Sequence, residues 1–305
     1  MSNSISTVFD LPGRFYRGNL HTHTTMSDGT LSPAELADAY RSEGYHFVVA
    51  SDHFWERHGW PITDTRDVRT PDFTTLIGAE LHAPQTKFWE VWHLLAVGLP
   101  LDFAPPDKNE TGPELARRAA ATGAFIGLAH PAWYALTVED ADTIDVAHAV
   151  EVYNHTSEVG FGKGDSWSLM DILLARGRKL TAFAADDAHF RTPDAFGGWV
   201  QVKARTLCPD ALLAALKAGH YYSSQGPEIH HIDVGLDSIV VSCSPAWNII
   251  ASWQGKFASR SIGYGQTEAK LDRRALGDAD YFIVTVVDES GRKAWSNPIW
   301  LKGRS

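Results

Sequence analysis

Two histidines one residue apart, His21 and His23, are followed five positions later by Asp28. On extended backbone, alternate side chains leave the same face, so the imidazoles of Asn19-Leu20-His21-Thr22-His23 can address one ion. Imidazole with carboxylate suits zinc, manganese or iron. His-x-His alone is a common coincidence, and its weight here comes from recurrence. Apolar runs end in the same residue types at Ser51-Asp52-His53, at Glu80, at His130-Pro131 and at Asp186-Asp187-Ala188-His189, and His93 lies at the start of another such run. The candidate ligands are His21, His23, Asp28, His53, Glu80, His93, His130, Asp187 and His189: six imidazoles and three carboxylates. One tetrahedral zinc needs only four groups, so this set can hold two or three ions, with Glu80 as a bridge. Singly, each residue has an ordinary explanation. Asp28 beside Gly29 is a turn residue, Asp187 can cap a loop, and His53 or His130 can be a hydrogen-bonded histidine. Glu80 resists such a reading, because a carboxylate ending an apolar strand is costly to bury unpaired.

The elements that must position these groups alternate. Strand patterns at 15–20, 46–50, 75–79, 91–97, 124–129, 149–153 and 180–185 are mostly separated by helical patterns at 32–43, 113–122, 138–146 and 167–175, with a further helix at 209–218. Ser32 as cap, Pro33 in the first turn and Glu35 beyond it mark one helix start. Alternating strands and helices imply a parallel sheet, and functional residues at strand C-termini are what a (β/α) barrel presents at its catalytic face. Between Glu80 and Val91 there is no room for a helical crossover. The strand carrying His93 should therefore run antiparallel to the one ending in Glu80, which brings His93 to the same end of the sheet. Residues 199–202 are expected to pair on an edge.

Beyond Tyr222 the helical pattern gives way to short strand-like runs at 232–236, 239–242, 248–253, 281–287 and 298–301. The expected organisation is a (β/α) barrel over 1–222 and a small β-sandwich over 223–305, joined near Ser223-Ser224-Gln225-Gly226-Pro227. The chain has 305 residues and a formal net charge of −10, which argues against coating long duplex nucleic acid. A nucleotide or an oligonucleotide end stays open, since bound metals can supply positive charge. Two cysteines, Cys208 and Cys243, make neither a disulfide framework nor a zinc motif. The N-terminus lacks the features of a signal peptide and no window reaches the length of a membrane span, so a cytoplasmic location without membrane partners is expected. Oligomeric state is not legible.

The ligand segments resemble the PHP (polymerase and histidinol phosphatase) superfamily of metal-dependent phosphoesterases. Asn19-Leu20-His21-Thr22-His23 with Ser27-Asp28-Gly29 looks like its first motif and Ser51-Asp52-His53 like its second. Glu80 with His93-Leu94-Leu95-Ala96-Val97-Gly98 looks like the third, His130-Pro131 like its His-Pro, and Asp187-Ala188-His189 like its closing Asp-x-His. The likeness covers roughly residues 13–225 and fills every ligand position in order; a looser one extends to Ala294-Trp295-Ser296-Asn297-Pro298. The resemblance implies a distorted (β/α)7 TIM-like barrel with a trinuclear site. His21, His23, Glu80 and Asp187 would hold one metal, Glu80, His93 and His130 a second, and Asp28, His53 and His189 a third. Asp52 would then orient a ligand or take a proton.

The expected reaction is hydrolysis of a phosphate ester by attack of metal-bound hydroxide on phosphorus, using two or three divalent ions of manganese, zinc or iron. Candidate substrates are a small phosphorylated metabolite, a nucleotide or a short oligonucleotide end. Arg57, Lys87, Lys163 and Arg191 lie in loops that could bind phosphate, with Arg191 placed best, two residues beyond His189. His82, Trp133, Asn154 and His155 also fall near the expected mouth, whereas His230 and His231 fall in the β region. Two other readings stand beside this one: an amidohydrolase-like metal-assisted hydrolase, and a metal-binding regulatory module without turnover.

Overall fold

The computed structural model describes residues 5–254 and 257–301. Its strands are β1 (Arg14–Asn19), β2 (Phe47–Ala50), β3 (His53–Phe54), β4 (Thr74–Ala83), β5 (Trp92–Val97), β6 (Phe125–Leu128), β7 (Ala149–Asn154), β8 (Thr181–Ala185), β9 (Trp199–Ala204), β10 (Tyr221–Ser224), β11 (Ile229–Val234), β12 (Ser238–Trp253), β13 (Phe257–Asp272), β14 (Tyr281–Val287), β15 (Lys293–Ser296) and β16 (Ile299–Trp300). The helices are α1 (Pro33–Ser42), α2 (Gly112–Ala121), α3 (Val138–Thr143), α4 (His155–Phe161), α5 (Trp167–Ala175) and α6 (Pro209–Ala218). Capping chemistry fixes several helix starts. Ser32 and Glu35 form a capping box on α1, and Thr111 with Glu114 forms another on α2. Gly219, at φ 72°, ends α6 in the left-handed region that glycine reaches without strain.

One mixed sheet runs β11-β12-β14-β15-β10-β9-β1-β2-β4-β5-β6-β7-β8. Strands β1, β2 and β4 are parallel, as are β6, β7 and β8. Strand β5 is antiparallel to both neighbours, as the short β4–β5 connection requires, and its register sets His82 opposite His93. Strand β4 continues past Glu80 to Ala83, so Glu80 lies inside the strand rather than at its end. Strand β9 is not an edge: it lies between β1 and β10, antiparallel to each.

The expectation of a closed barrel needs correction. Among the described residues no ladder joins β8 to β9, and the sheet stays open there. Side chains cover the exposed edge instead. Asn297 Oδ1 accepts the Ala182 amide at 2.8 Å, and Ser223 Oγ accepts the Ala184 amide at 3.0 Å while donating to the Ala182 carbonyl at 2.9 Å. Unpaired edge groups of β8 thus find partners without a ladder, which disposes of a costly set of buried donors and acceptors. The expected joint, Ser223-Ser224-Gln225-Gly226-Pro227, begins inside strand β10 (Tyr221–Ser224), which pairs with β9 on one side and β15 on the other. The C-terminal strands therefore continue the same sheet.

A buried cluster joins Leu20, just after β1, to Phe47, Leu95, Phe125, Phe183 and Val200 from five different strands. Each such side chain contributes about 1.5–3 kcal/mol on burial. Gly18 is required by this packing, since a Cβ there would overlap the Phe47 ring. No helix among the described residues is long and apolar enough to cross a membrane.

Candidate metal centre

The polar groups gather at the ends of β1, β2, β6, β7 and β8 and on β3, β4 and β5. The His21–His23 segment is the keystone. Its backbone is extended between two neighbours: the Ser51 amide donates to the Thr22 carbonyl at 2.8 Å, the Asp187 amide to the His21 carbonyl at 2.8 Å, and the His23 amide to the Ala188 carbonyl at 2.9 Å. The segment links the ends of β2 and β8 and aims both imidazoles inward.

Glu80 occupies the centre and is fully buried. Its Oε1 lies 2.7 Å from His93 Nδ1 and 3.0 Å from His130 Nε2. Its Oε2 lies 2.6 Å from His53 Nδ1, 3.7 Å from His21 Nε2 and 3.8 Å from His23 Nε2. Asp187 Oδ1 is 2.8 Å from His23 Nε2 and 3.3 Å from His21 Nε2. Asp28 Oδ1 lies 3.3 Å from His53 Nε2 and 3.2 Å from His189 Nε2. Four groups have ligand-type atoms all within 4.8 Å of one another: His23, Asp28, His53 and His189; His21, His23 and Asp187; His21, Glu80 and His130; and His53, Glu80 and His82. All nine sequence-derived candidates are thus brought together. His23 stands between two groups, His93 reaches the cluster through Glu80, and His82 joins it.

The donor set fits divalent metal. His21 Nε2, His23 Nδ1, Asp28 Oδ1, Glu80 Oε2 and His130 Nδ1 are buried without a hydrogen-bond partner. Leaving so many polar atoms unpaired costs about 1–3 kcal/mol each, and Glu80 Oε2 and Asp28 Oδ1 are acceptors among imidazoles, as ions would require. Imidazoles are crowded as well: the His23 ring centroid is 4.1 Å from that of His53 and 4.3 Å from that of His189. Two candidate ligands adopt positive φ, His130 at 26° and Asp187 at 58°, a conformation disfavoured for residues other than glycine and often found at functional sites.

Electrostatics polarise the groups. Burial, reinforced by His53 and His189, lowers the His23 pKa to about 3. Burial also opposes a charge on His53, but Glu80 and Asp28 overcome it and raise that pKa to about 10. At Asp28 burial works against the anion, and the His189 and His53 imidazoles close beside it reverse that, holding the carboxyl well below the usual range.

The supporting groups are equally specific. Asp52 accepts from the Thr24 amide and hydroxyl at 2.7 Å each, from Ser27 Oγ at 2.6 Å and from Thr63 Oγ1 at 2.5 Å. These bonds fill its acceptor positions and tie down the turn that presents Asp28. Glu151, inside the apolar strand β7, escapes the sequence reading. Its Oε1 lies 3.2 Å from His21 Nδ1, and its Oε2 accepts the His130 amide at 2.6 Å and Asn154 Nδ2 at 3.1 Å. The signal was available: like Glu80, it is a carboxylate in an apolar run.

A cavity of about 600 Å³ opens over the cluster, lined by Asp28, His53, His93, His130, Asp187 and His189 and walled by Trp55, Trp133 and Phe161. Of the four cations considered, Arg57 and Arg191 line it. Arg191 donates to the Asp28 carbonyl, and Arg57 stacks 4.0 Å over Trp55. Lys87 faces Glu139 at 3.5 Å, and Lys163 reaches the Trp133 carbonyl at 3.4 Å. Asn154 reaches Asp187 Oδ2 at 3.2 Å, whereas His155 pairs with the Tyr153 hydroxyl. His230 and His231 lie far from the cluster on β11, paired with Glu228 and Asp10.

No known family profile matches the sequence, and no curated protein sequence matches it. Solved structures do. A two-domain protein from Bacteroides vulgatus containing a predicted PHP-like metal-dependent phosphoesterase superposes with a TM-score of 0.54 at 13% identity, over 94% of this chain and 95% of that one. A protein from Bifidobacterium adolescentis, provisionally assigned as a metal-dependent phosphoesterase, covers 58% of this chain and 90% of its own at 16% identity and a TM-score of 0.42. An amidohydrolase from Chromobacterium violaceum, solved with bound sulfate and no metal, covers 58% and 89% at 12% identity and 0.44. The first of these shows that this chain shares the mixed α/β fold of that protein along nearly its whole length.

Proposed function

We propose that this protein is a metal-dependent phosphoesterase. The observation that carries the reading is one cavity in which unpartnered metal-type donors share a mouth with two arginines, Arg57 and Arg191. That pairing suits an anionic substrate that needs charge neutralised on one side and a water activated on the other. The likeness to a PHP-like two-domain structure supports it, and in this reading the curved sheet is an opened form of a seven-stranded barrel.

The residues divide among up to three ions. His21, His23 and Asp187 would hold one, His130 and His93 a second, and Asp28, His53 and His189 a third, with Glu80 available to the first two. Divalent ions there would lower the pKa of water and neutralise phosphate oxygens. The chain's own part is orientation. Glu151 holds His21 and the His130 backbone, Asp52 holds the turn of Asp28, and Arg191 offers a forked donor to a phosphate oxygen at the rim. The wall of Trp133 and Phe161, the latter 62% exposed, can receive a flat leaving group and favours a nucleotide or oligonucleotide end among the expected substrates.

The test is a panel of phosphomonoesters, phosphodiesters and amides, assayed with protein loaded with manganese, zinc or iron. Turnover of phosphate esters in at least one metal is expected. Turnover of amides but of no phosphate ester would replace this reading by the amidohydrolase-like one, and no turnover at full metal loading would leave a metal-binding module.

A further inference from the structure

His82 belongs to none of the segments that motivated the metal reading, yet it is buried against the centre of the cluster. It sits two residues beyond Glu80 on β4, on the same face of the strand, opposite His93. Strand β3 pairs in parallel so that His53 lies beside Glu80, which brings the His53 and His82 rings to 4.9 Å.

The hydrogen bonds of His82 determine where its proton is. Its Nδ1 lies 3.1 Å from the backbone carbonyl of Trp92. A carbonyl only accepts, so Nδ1 carries the hydrogen. In the neutral ring Nε2 is then an acceptor, and it lies 2.9 Å from His53 Nδ1. That contact requires His53 Nδ1 to be the donor. It follows that His53 presents Nε2, the atom 3.3 Å from Asp28 Oδ1, to the group it shares with His23 and His189. Glu80 Oε2 is also close to His53 Nδ1, at 2.6 Å, but makes no hydrogen bond. Because His82 takes the N–H of His53, that oxygen keeps its lone pairs. Trp55, stacked on the His82 ring at 5.0 Å and 30°, holds the ring plane.

We infer that His82 is a positioning residue that fixes the tautomer of His53, through the chain Trp92 carbonyl–His82–His53, so that His53 Nε2 and Glu80 Oε2 both remain available to divalent metal. A histidine ligand whose other nitrogen is engaged in this way is oriented and made more basic. The inference rests on the metal-centre reading and is independent of which ester is hydrolysed.

The test has two arms. Long-range nitrogen–proton NMR on the metal-free wild-type chain reads the ring tautomers directly. The expected result is Nδ1–H with an unprotonated Nε2 on His82 in the metal-free chain, and an Nδ1–H retained on His53 when zinc is added; a proton on His82 Nε2 overturns the inference, whatever the protein's activity. The second arm compares manganese and zinc affinity in His82→Gln and His82→Leu. Glutamine retains a donor and an acceptor, and leucine retains neither. Leucine should weaken binding on the order of 10- to 100-fold and glutamine should restore most of it. Equal loss in both variants would make His82 a ligand, and no loss in either would make it structural; either result overturns the inference. If the wild-type chain binds no metal, the metal-centre reading falls separately, and the tautomers still report whether the chain of hydrogen bonds exists.

Discussion

Glu151 Oε1 lies 3.2 Å from His21 Nδ1 in a fully buried pair. Burial opposes a charge on His21, and Asp187 with Glu151 overcomes it, raising the histidine well above its ordinary value. Held this way, His21 turns Nε2 toward Asp187 and Glu80. Glu151→Gln keeps the shape but offers an amide NH₂ where an acceptor is needed for the His130 amide or the His21 ring. Metal affinity should fall on the order of 10- to 100-fold, measured by competition with a chelator, while the far-UV spectrum of the metal-free protein stays unchanged.

Asn297 ties the C-terminal strands to the open edge of the sheet. It accepts from Ala182 and donates to the carbonyls of Gly219 and Tyr221 at 3.1 and 3.0 Å. Asn297→Ala leaves the Ala182 amide buried without a partner. The expected cost is roughly 2–3 kcal/mol in urea denaturation, with turnover per folded, metal-loaded molecule unchanged because the residue lies away from the cavity.

Metal uptake should release protons. With its pKa raised to about 10, His53 is protonated in the metal-free chain at pH 7, and a metal can bind only the neutral ring. Apparent affinity should therefore rise with pH between 6 and 9, and calorimetry in buffers of different ionisation enthalpy should show proton release. For the metal-free fold, the contribution of this raised pKa is complete below the unfolded value of about 6.5 and is lost as pH climbs through 10. Constant affinity across that range would mean that metal displaces no proton from His53.

Arg191 reaches the cavity beside Asp28, and its Nη2 lies 3.6 Å from Asp28 Oδ2. Its side chain is 55% exposed, so its removal should not unfold the chain. Arg191→Ala should raise KM for phosphate esters about tenfold, equivalent to about 1.4 kcal/mol, with a smaller change in kcat. Steady-state kinetics on one ester separate the two.

Most of the candidate ligands were legible because they end or interrupt an apolar run, Asp28 being the exception, in the turn after His21 and His23, and the antiparallel approach of His93 follows from the length of the connection after Glu80. Helices α5 and α6 start and stop at Trp167–Ala175 and Pro209–Ala218, as their sequence punctuation implies. Helix α4 was not legible. Its sequence, His-Thr-Ser-Glu-Val-Gly-Phe, has no apolar period and depends on Asn154 as cap. Strand β13 was missed for a related reason: most of its side chains are exposed, and β12 rather than a buried face holds it in place. The open β8 edge was beyond sequence reading altogether, because the hydroxyl and amide that cover it come from 39 and 115 residues away in the chain.

The most direct measurement is phosphate-ester turnover followed against bound metal equivalents, as ions are returned to chelated protein. The account predicts no turnover without metal, activity that appears only as a second equivalent binds, and loss of both occupancy and turnover in Glu80→Gln. Full activity at one equivalent or none, or an active Glu80→Gln protein, would contradict it.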